Sequence, residues 1–250
     1  KSPSFRGHYA LSGLRIVQIF SLSDAGPRAE NQDSLCVERL AQRLFAAVAD
    51  GVGGNNGGQQ ASKLAIEVLV AGFRAGAELD TTIEEAHASL LEMAAASPAL
   101  SGMASTLTAV QIQGTSLIGV HVGDSRAYVL RRRGLKQLTL DHTEVAKLLA
   151  AGRLTKEEAA TYPRRNILSS ALGIPREFKF QTFQFELEKN DRVLLMTDGI
   201  YSLVNKGEIQ RLSEQSLVLQ DLCNAVLSLV KDRGPTDNFS LVGLQFDEFT

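Results

Sequence analysis

Cysteine is nearly absent: Cys36 and Cys223 are the only two in 250 residues, and neither has Cys-x-x-Cys or histidine-rich spacing around it. That excludes a disulfide framework and a zinc site, and fits two half-buried free thiols in a reducing compartment. Charge of one sign is equally scarce. A net charge of −2 supplies no broad basic field for nucleic acid or anionic lipid. The one basic run, Arg131-Arg132-Arg133, ends at a glycine turn and reads as a solvated hairpin tip. Long hydrophobic runs are missing: Leu217-Val218-Leu219 and Ala225-Val226-Leu227 fall far short of the roughly 20 residues that span a bilayer. No signal peptide is legible at the start. A Gly-Lys-Ser/Thr loop and a GxGxxG turn in a βαβ unit are also lacking, which excludes the common nucleotide-binding loops.

What is present is enough apolar material, 44% of 250 residues, to bury a sizeable core. The organising stretch is Leu44-Phe45-Ala46-Ala47-Val48-Ala49-Asp50-Gly51-Val52-Gly53-Gly54. It reads as a covered strand, then a carboxylate where glycines let the backbone turn sharply and lie close to a neighbour. The pattern returns in Val193 to Gly199, ending at Asp198, and in Ile118 to Asp124. Asp-Gly is also a common turn dipeptide, so one instance carries little weight. Three strand-end aspartates carry more.

Alternation from Leu14 to Leu22 predicts a half-buried strand, broken at Gly26-Pro27, and a short strand follows at Ser34 to Glu38. Apolar spacing from Gln59 to Gly76 predicts a helix with one covered face. A second helix is expected from Thr81 to Ala96, capped by Thr81 or Thr82, with Glu84 and Glu85 in its first turn. Thr106 to Thr139 reads as three or four antiparallel strands turning at Gly114-Thr115 and Arg133-Gly134. Helical spacing resumes from Thr143 to Ala160, with a capping box at Thr155-Lys156-Glu157-Glu158. Strands are expected at Phe178 to Leu187 and Arg192 to Thr197, helices near Lys206–Ser213 and Ser216–Arg233, and a closing strand from Phe239 to Phe246. Strands and helices thus fall in blocks joined by short hairpins. That predicts an α+β fold: two stacked, mainly antiparallel β-sheets flanked by pairs of α-helices. No repeat or linker divides the chain, so residues 1–250 are expected to form one domain, with 1–13 an irregular lead-in.

Asp33, Asp50, Asp124, Asp198 and Asp237 all lie at turns between these elements. Hard cations such as Mg²⁺ or Mn²⁺ take oxygen ligands and keep several waters, so five aspartates without histidine or cysteine suit them and not zinc. Carboxylates inside a sandwich core would also need such a counter-charge. Among the histidines, His121 alternates with valines and reads as a core or rim residue. His142 is a candidate for substrate contact, and His8 and His87 read as surface residues.

The motifs occur in a set order: Arg28-Ala29-Glu30-Asn31-Gln32-Asp33, Ala49-Asp50-Gly51-Val52-Gly53-Gly54, Ser105-Thr106-Leu107-Thr108-Ala109, Val122-Gly123-Asp124-Ser125-Arg126, Thr197-Asp198-Gly199 and Asp237-Asn238-Phe239-Ser240. This set resembles the metal-dependent PP2C-type (PPM) serine/threonine phosphatases. Asp-Gly-x-Gly-Gly with a later Gly58-x-x-Ala61-Ser62 resembles their bacterial branch. The likeness covers residues 14–246 and implies an αββα sandwich using Mn²⁺ or Mg²⁺, two ions in the core site and a third beside it. It implies that Asp50 bridges two ions with help from the Gly51 carbonyl, and that Asp198 and Asp237 complete the first site. Asp124 would hold the third ion, Asp33 would act through waters, and Arg28 would grip the substrate phosphate. The implied nucleophile is a metal-activated water, so neither a Cys-x5-Arg nor a catalytic serine is needed. Residues 142–172 correspond to the family's flap.

The chain departs from the family where Val52 replaces a histidine common in animal enzymes, and where Tyr162-Pro163 replaces a flap His-Pro. Gln32 and Gln59 stand where glutamate is frequent. None of these removes a metal ligand, but they leave the acid that protonates the leaving group unassigned. The resemblance implies phosphorylated proteins as substrates, a cognate serine/threonine kinase, and a cytoplasmic monomer without nucleic-acid or membrane partners. Two rival readings are a catalytically weak regulatory or phosphoprotein-binding domain on the same fold, and another two-metal hydrolase such as a phosphodiesterase.

Overall fold

The computed structural model describes residues 14–52, 57–175 and 178–248. The expected lead-in at 1–13, including His8, and the glycines Gly53 and Gly54 lie outside them. In chain order the elements are β1 (Leu14–Asp24), β2 (Asp33–Leu40), β3 (Arg43–Val52), α1 (Gly57–Ala75), α2 (Leu79–Ala96), a 3-10 turn at Pro98–Leu100, β4 (Ala104–Ser105), β5 (Leu107–Gln113), β6 (Ser116–Val122), β7 (Arg126–Arg131) and β8 (Gly134–Gln137). Then come α3 (Glu144–Ala150), α4 (Lys156–Thr161), β9 (Gln181–Glu186), β10 (Arg192–Met196), α5 (Asp198–Tyr201), α6 (Lys206–Gln215), α7 (Leu219–Asp232) and β11 (Phe239–Glu248).

Two antiparallel sheets form the body, ordered β1-β11-β10-β7-β8 and β2-β3-β5-β6-β9, with β4 paired to the end of β3. The central strand β3 shows why its sequence is apolar throughout. Leu44, Ala46 and Val48 face the space between the sheets, packing with Val110, Val193, Val242 and Leu244. Phe45, Ala47 and Ala49 face outward under α1 and α2, against Ala65, Leu69, Ile83 and Leu90. A strand covered on both faces loses the polar alternation of a half-exposed one. On the other flank, Leu194, Met196 and Leu241 pack under Val226, Leu222 and Val230 of α7. Two helix pairs therefore enclose two sheets, which is the expected α+β layering.

Several local expectations are corrected. Neither Thr81 nor Thr82 caps α2. The helix begins two residues earlier behind Glu78, with no side-chain cap, and Asp80 is the acidic residue of its first turn. Thr82 is buried against Gly72 of α1 and its hydroxyl donates to the Glu78 carbonyl, so packing against α1 sets the start. Strand β3 continues through Asp50 to Val52, because Gly51 and Val52 pair with Ser105 and Ala104 of β4. The turn between β7 and β8 is Arg132-Arg133, with Arg132 at φ 53°. Arg131 is not a solvated tip: its guanidinium binds Asp191 and Glu188. His87 is half-buried and not free on the surface. Its ring stacks on Phe178 at 4.0 Å and accepts the Gly173 N–H. No helix among the described residues is long and apolar enough to cross a membrane.

Candidate active site

One rim of the sandwich collects the strand ends that carry acid. β2 enters at Asp33, β3 leaves through Asp50, and β6 leaves just before Asp124; β10 leaves before Asp198, and β11 enters after Asp237. The first three come from one sheet and the last two from the other. Asp50, Gly51, Asp124, Asp198 and Asp237 line a cleft of about 1080 Å³, together with Arg28. Asp33 stands behind it as the cross-strand partner of Asp50. It is 7% exposed, and its Oδ2 accepts from the hydroxyls of Thr197 (2.8 Å) and Ser240 (2.7 Å).

The backbone around these carboxylates is held by small residues and hydroxyls. The Asp50 N–H donates to Thr106 Oγ1, and its carbonyl accepts the Thr106 N–H at 2.9 Å. A Cβ on Gly51 would overlap the Gly58 carbonyl oxygen at the start of α1, and one on Gly199 would overlap the Asn238 carbonyl. Only glycine permits these approaches. Gly123, at φ 102°, turns the chain into Asp124.

Burial and mutual repulsion dominate the electrostatics. Loss of solvation pushes Asp33 up to about 7 against the lowering effect of its two hydroxyl partners, with Asp198 and Asp237 adding to the rise. Asp124 also rises to about 7, through burial first and then Asp198 and Asp141. Asp50 is raised by burial and by Asp33, Asp198, Asp124 and Asp237 together. Asp198 is raised by burial and then by Asp237. Asp33, Asp50, Asp124 and Asp198 are thus all raised at one negative centre that Arg28 and Arg126 offset only in part, and a cation relieves it. The aspartate side chains offer oxygen donors only, which matches Mg²⁺ or Mn²⁺. Among the described residues no three acidic, histidine or cysteine side chains form a ready cage for one ion. An octahedral Mg²⁺ that takes one or two carboxylates and fills its remaining positions with water asks for no such cage.

Arg28 reaches over this centre from the connection between β1 and β2. Its Nη2 lies 2.8 Å from Asp237 Oδ2 and its Nε donates to the Thr236 carbonyl. Both side chains of the pair are about half exposed, at 56% and 47%, so water screens it and the guanidinium can exchange partners.

The residues at 142–172 form the other wall. Their base is a short ladder in which Glu144 N–H donates to Ile167 O and Ser169 N–H to His142 O. α3 and α4 rise from it, α4 with its capping box at Thr155 and Glu158. Tyr162 donates its hydroxyl to Glu144, and Asn166, Ile167 and Leu168 line the cleft. His142 does not line it; its ring sits 4.9 Å from that of His121. His121 is fully buried between Thr108 and the Leu140 carbonyl. Burial, and then His142, push its pKa down to about 3. It is a core residue, as expected. Gln59 donates to the Asn31 carbonyl, and Val52 stands exposed at the lip.

Sequence reasoning did not single out the residues that hold this frame. Asn238 accepts the Gln32 N–H and donates to the Ala25 and Glu30 carbonyls, clamping the loop that carries Arg28. Arg126 forms a two-pronged pair with Asp141, its shorter arm 2.6 Å, and lies 3.6 Å over the Tyr201 ring. That joins the turn at Asp124, the start of the 142–172 segment and α5. Asn238, Ser240 and Arg126 belong to the quoted motifs, which was the available signal.

Residues 26–234 match the family model described as protein phosphatase 2C. The chain is 30% identical over 231 residues to the serine/threonine phosphatase stp of Listeria monocytogenes, covering 88% of this chain and 92% of that one. Among solved structures it resembles the serine/threonine phosphatase Stp1 of Staphylococcus aureus, with a TM-score of 0.87, 27% identity, and coverage of 96% and 99%. It also resembles the catalytic domain of the phosphatase PstP in complex with two manganese ions, with a TM-score of 0.80, 32% identity, and coverage of 94% and 99%. With the motifs in order, the sheets stacked as expected and the family model matched along most of its length, the chain belongs to the protein phosphatase 2C family.

Proposed function

We propose that this chain is a metal-dependent protein serine/threonine phosphatase, hydrolysing phosphoserine and phosphothreonine in phosphorylated proteins with Mn²⁺ or Mg²⁺ as cofactor. The observation that carries this reading is the acid-lined cleft, where four aspartates and a half-free arginine converge with a fifth aspartate behind them. Asp50, the Gly51 carbonyl, Asp198 and Asp237 would hold two ions, and Asp124 a third; Asp33, fixed by Thr197 and Ser240, would reach them through waters. Bound there, the ions supply Lewis acidity, a nucleophile at neutral pH, and charge stabilisation for an in-line displacement.

The chain's own residues do the rest. Arg28 keeps its charge at any relevant pH and presents a fork matched to phosphate oxygens. An arriving phosphoryl group competes with Asp237 for that fork, which frees the carboxylate as the substrate binds. Asn238 holds the Arg28 loop in place, and Thr106 fixes the Asp50 backbone. Among the described residues lining the cleft there is no serine, cysteine or histidine, so a nucleophile of those three kinds is absent from the lining. The same lining offers no imidazole to protonate the leaving alkoxide. None of the five aspartates is replaced, so nothing favours the regulatory, weakly catalytic alternative. The names of the relatives and the manganese complex of a structural neighbour support the same reading. It includes a cognate serine/threonine kinase, residues 1–250 as one domain, a cytoplasmic monomer, and residues 142–172 as a flap.

The test compares a phosphothreonine peptide with bis(p-nitrophenyl) phosphate, each with Mn²⁺ and after chelation. Mn²⁺-dependent release from the peptide, well above turnover of the diester, is the expected result. Faster turnover of the diester would assign a phosphodiesterase instead.

A further inference from the structure

The cleft is asymmetric in a way that metal binding and phosphate binding leave unexplained. Charge comes from Arg28 and Glu30 of the β1–β2 connection and from Asp50, Asp124, Asp198 and Asp237. On the side of β3 away from β2, the lining turns apolar: Val52, Ala104, Ile167, Leu168 and Ile174. All five line the one cleft, and backbone pairing joins the part of the wall at Val52, Ala104 and Ile174. Val52 pairs with Ala104 across β3 and β4. Ser105, next to Ala104, bridges Leu172, two residues before Ile174. Ile167 and Leu168 enter the same cleft from the base of the 142–172 segment, where Leu168 bridges Thr143. Val52 and Ile167 remain 42% and 48% exposed, among only seven large hydrophobics exposed in the described residues. Their apolar surface is left in water beside a charged centre, where a monomer gains nothing from it.

We propose that this wall is a specificity subsite for an apolar side chain immediately next to the phosphorylated residue of the substrate. The inference rests on the phosphatase reading and deepens it. Geometry carries it first. Val52 stands two residues past Asp50, so about 6.6 Å along the strand from the carboxylate that would meet the phosphoryl group. Neighbouring residues of a bound peptide are about 3.8 Å apart at their Cα atoms, so the side chain beside the phosphoresidue falls within reach of the wall. Chemistry carries it second. None of the five wall residues offers charge or a side-chain hydrogen bond, so the wall itself gives a polar side chain no partner. An aliphatic side chain instead covers Val52 and Ile167 and is covered by them.

The experiment measures kcat/KM with Mn²⁺ for phosphothreonine peptides carrying leucine, glycine or lysine directly before or directly after the phosphoresidue. The wild type should favour leucine over glycine at one of the two positions by about tenfold, as one well-fitted aliphatic contact provides. In Val52→Ser and Ile167→Ser, both at exposed positions, that ratio should fall toward one. Equal rates for all three residues at both positions would overturn the subsite, and so would a preference that survives in both variants. Failure to hydrolyse any peptide would overturn the phosphatase reading and the subsite with it, a result distinct from hydrolysis without discrimination.

Discussion

Asn238 is buried beneath the loop from Ala25 to Gln32, and its amide holds three backbone groups of that loop. Truncation removes all three bonds; the Ala25 carbonyl keeps the Arg28 N–H, while the Gln32 N–H and the Glu30 carbonyl lose this partner, at about 1–3 kcal/mol for each that cannot find water. Asn238→Ala should therefore lose roughly 2–4 kcal/mol in urea unfolding and raise KM for a phosphopeptide, because Arg28 rides on the freed loop. His121 makes a prediction about pH. Its pKa in the folded protein is about 3, well below its ordinary value, so below pH 6.5 the unfolded chain takes up a proton that the folded chain refuses. The contribution is complete above pH 6.5 and is lost as pH falls toward 3, at up to about 1.4 kcal/mol per pH unit. Unfolding free energies measured from pH 7 to pH 4 should decline more steeply in the wild type than in His121→Gln.

Among the elements, the junction of β3 and α1 is where the fold makes the site. The end of β3 and the first turn of α1 touch backbone to backbone at Gly51 and Gly58. Gly51→Ala should displace one of them, losing about 1–3 kcal/mol as overpacking does and weakening Mn²⁺ binding at least tenfold by calorimetry. The elements also explain what was legible in the residues. β3 was plain because burial on both faces leaves an unbroken apolar run, and its aspartate is marked by the glycines after it. The capping box at Thr155 was plain because all its partners lie within four residues. The start of α2 was not, because Thr82 is placed by Gly72 on another helix. Arg131, paired 60 residues away with Asp191, and His87, stacked 91 residues away on Phe178, read as surface residues for the same reason: their partners are set by the tertiary fold alone. Five site aspartates could be collected in advance, but Asn238 and the Arg126–Asp141 pair that hold them in place could not.

At the scale of the whole molecule, two sheets covered by helices form a rigid body that can carry an unfavourable charge at one rim. Neutralising part of that charge should stabilise the protein while disabling it. Asp50→Asn should melt higher than the wild type after chelation, by about 2–4 °C for each kcal/mol of repulsion removed in a chain of this size. In excess Mn²⁺ the order should reverse, because only the wild type gains binding free energy. Heat denaturation of both proteins with and without metal checks both halves.

The central claim is that the carboxylates at this rim work by holding cations for phosphate ester hydrolysis. Phosphate release from a phosphothreonine peptide, by wild type and Asp198→Asn with Mn²⁺ and after chelation, tests it most directly. The account predicts Mn²⁺-dependent release by the wild type that stops on chelation and falls on the order of a hundredfold or more in the variant. Release that persists after chelation, or survives in Asp198→Asn, would contradict it.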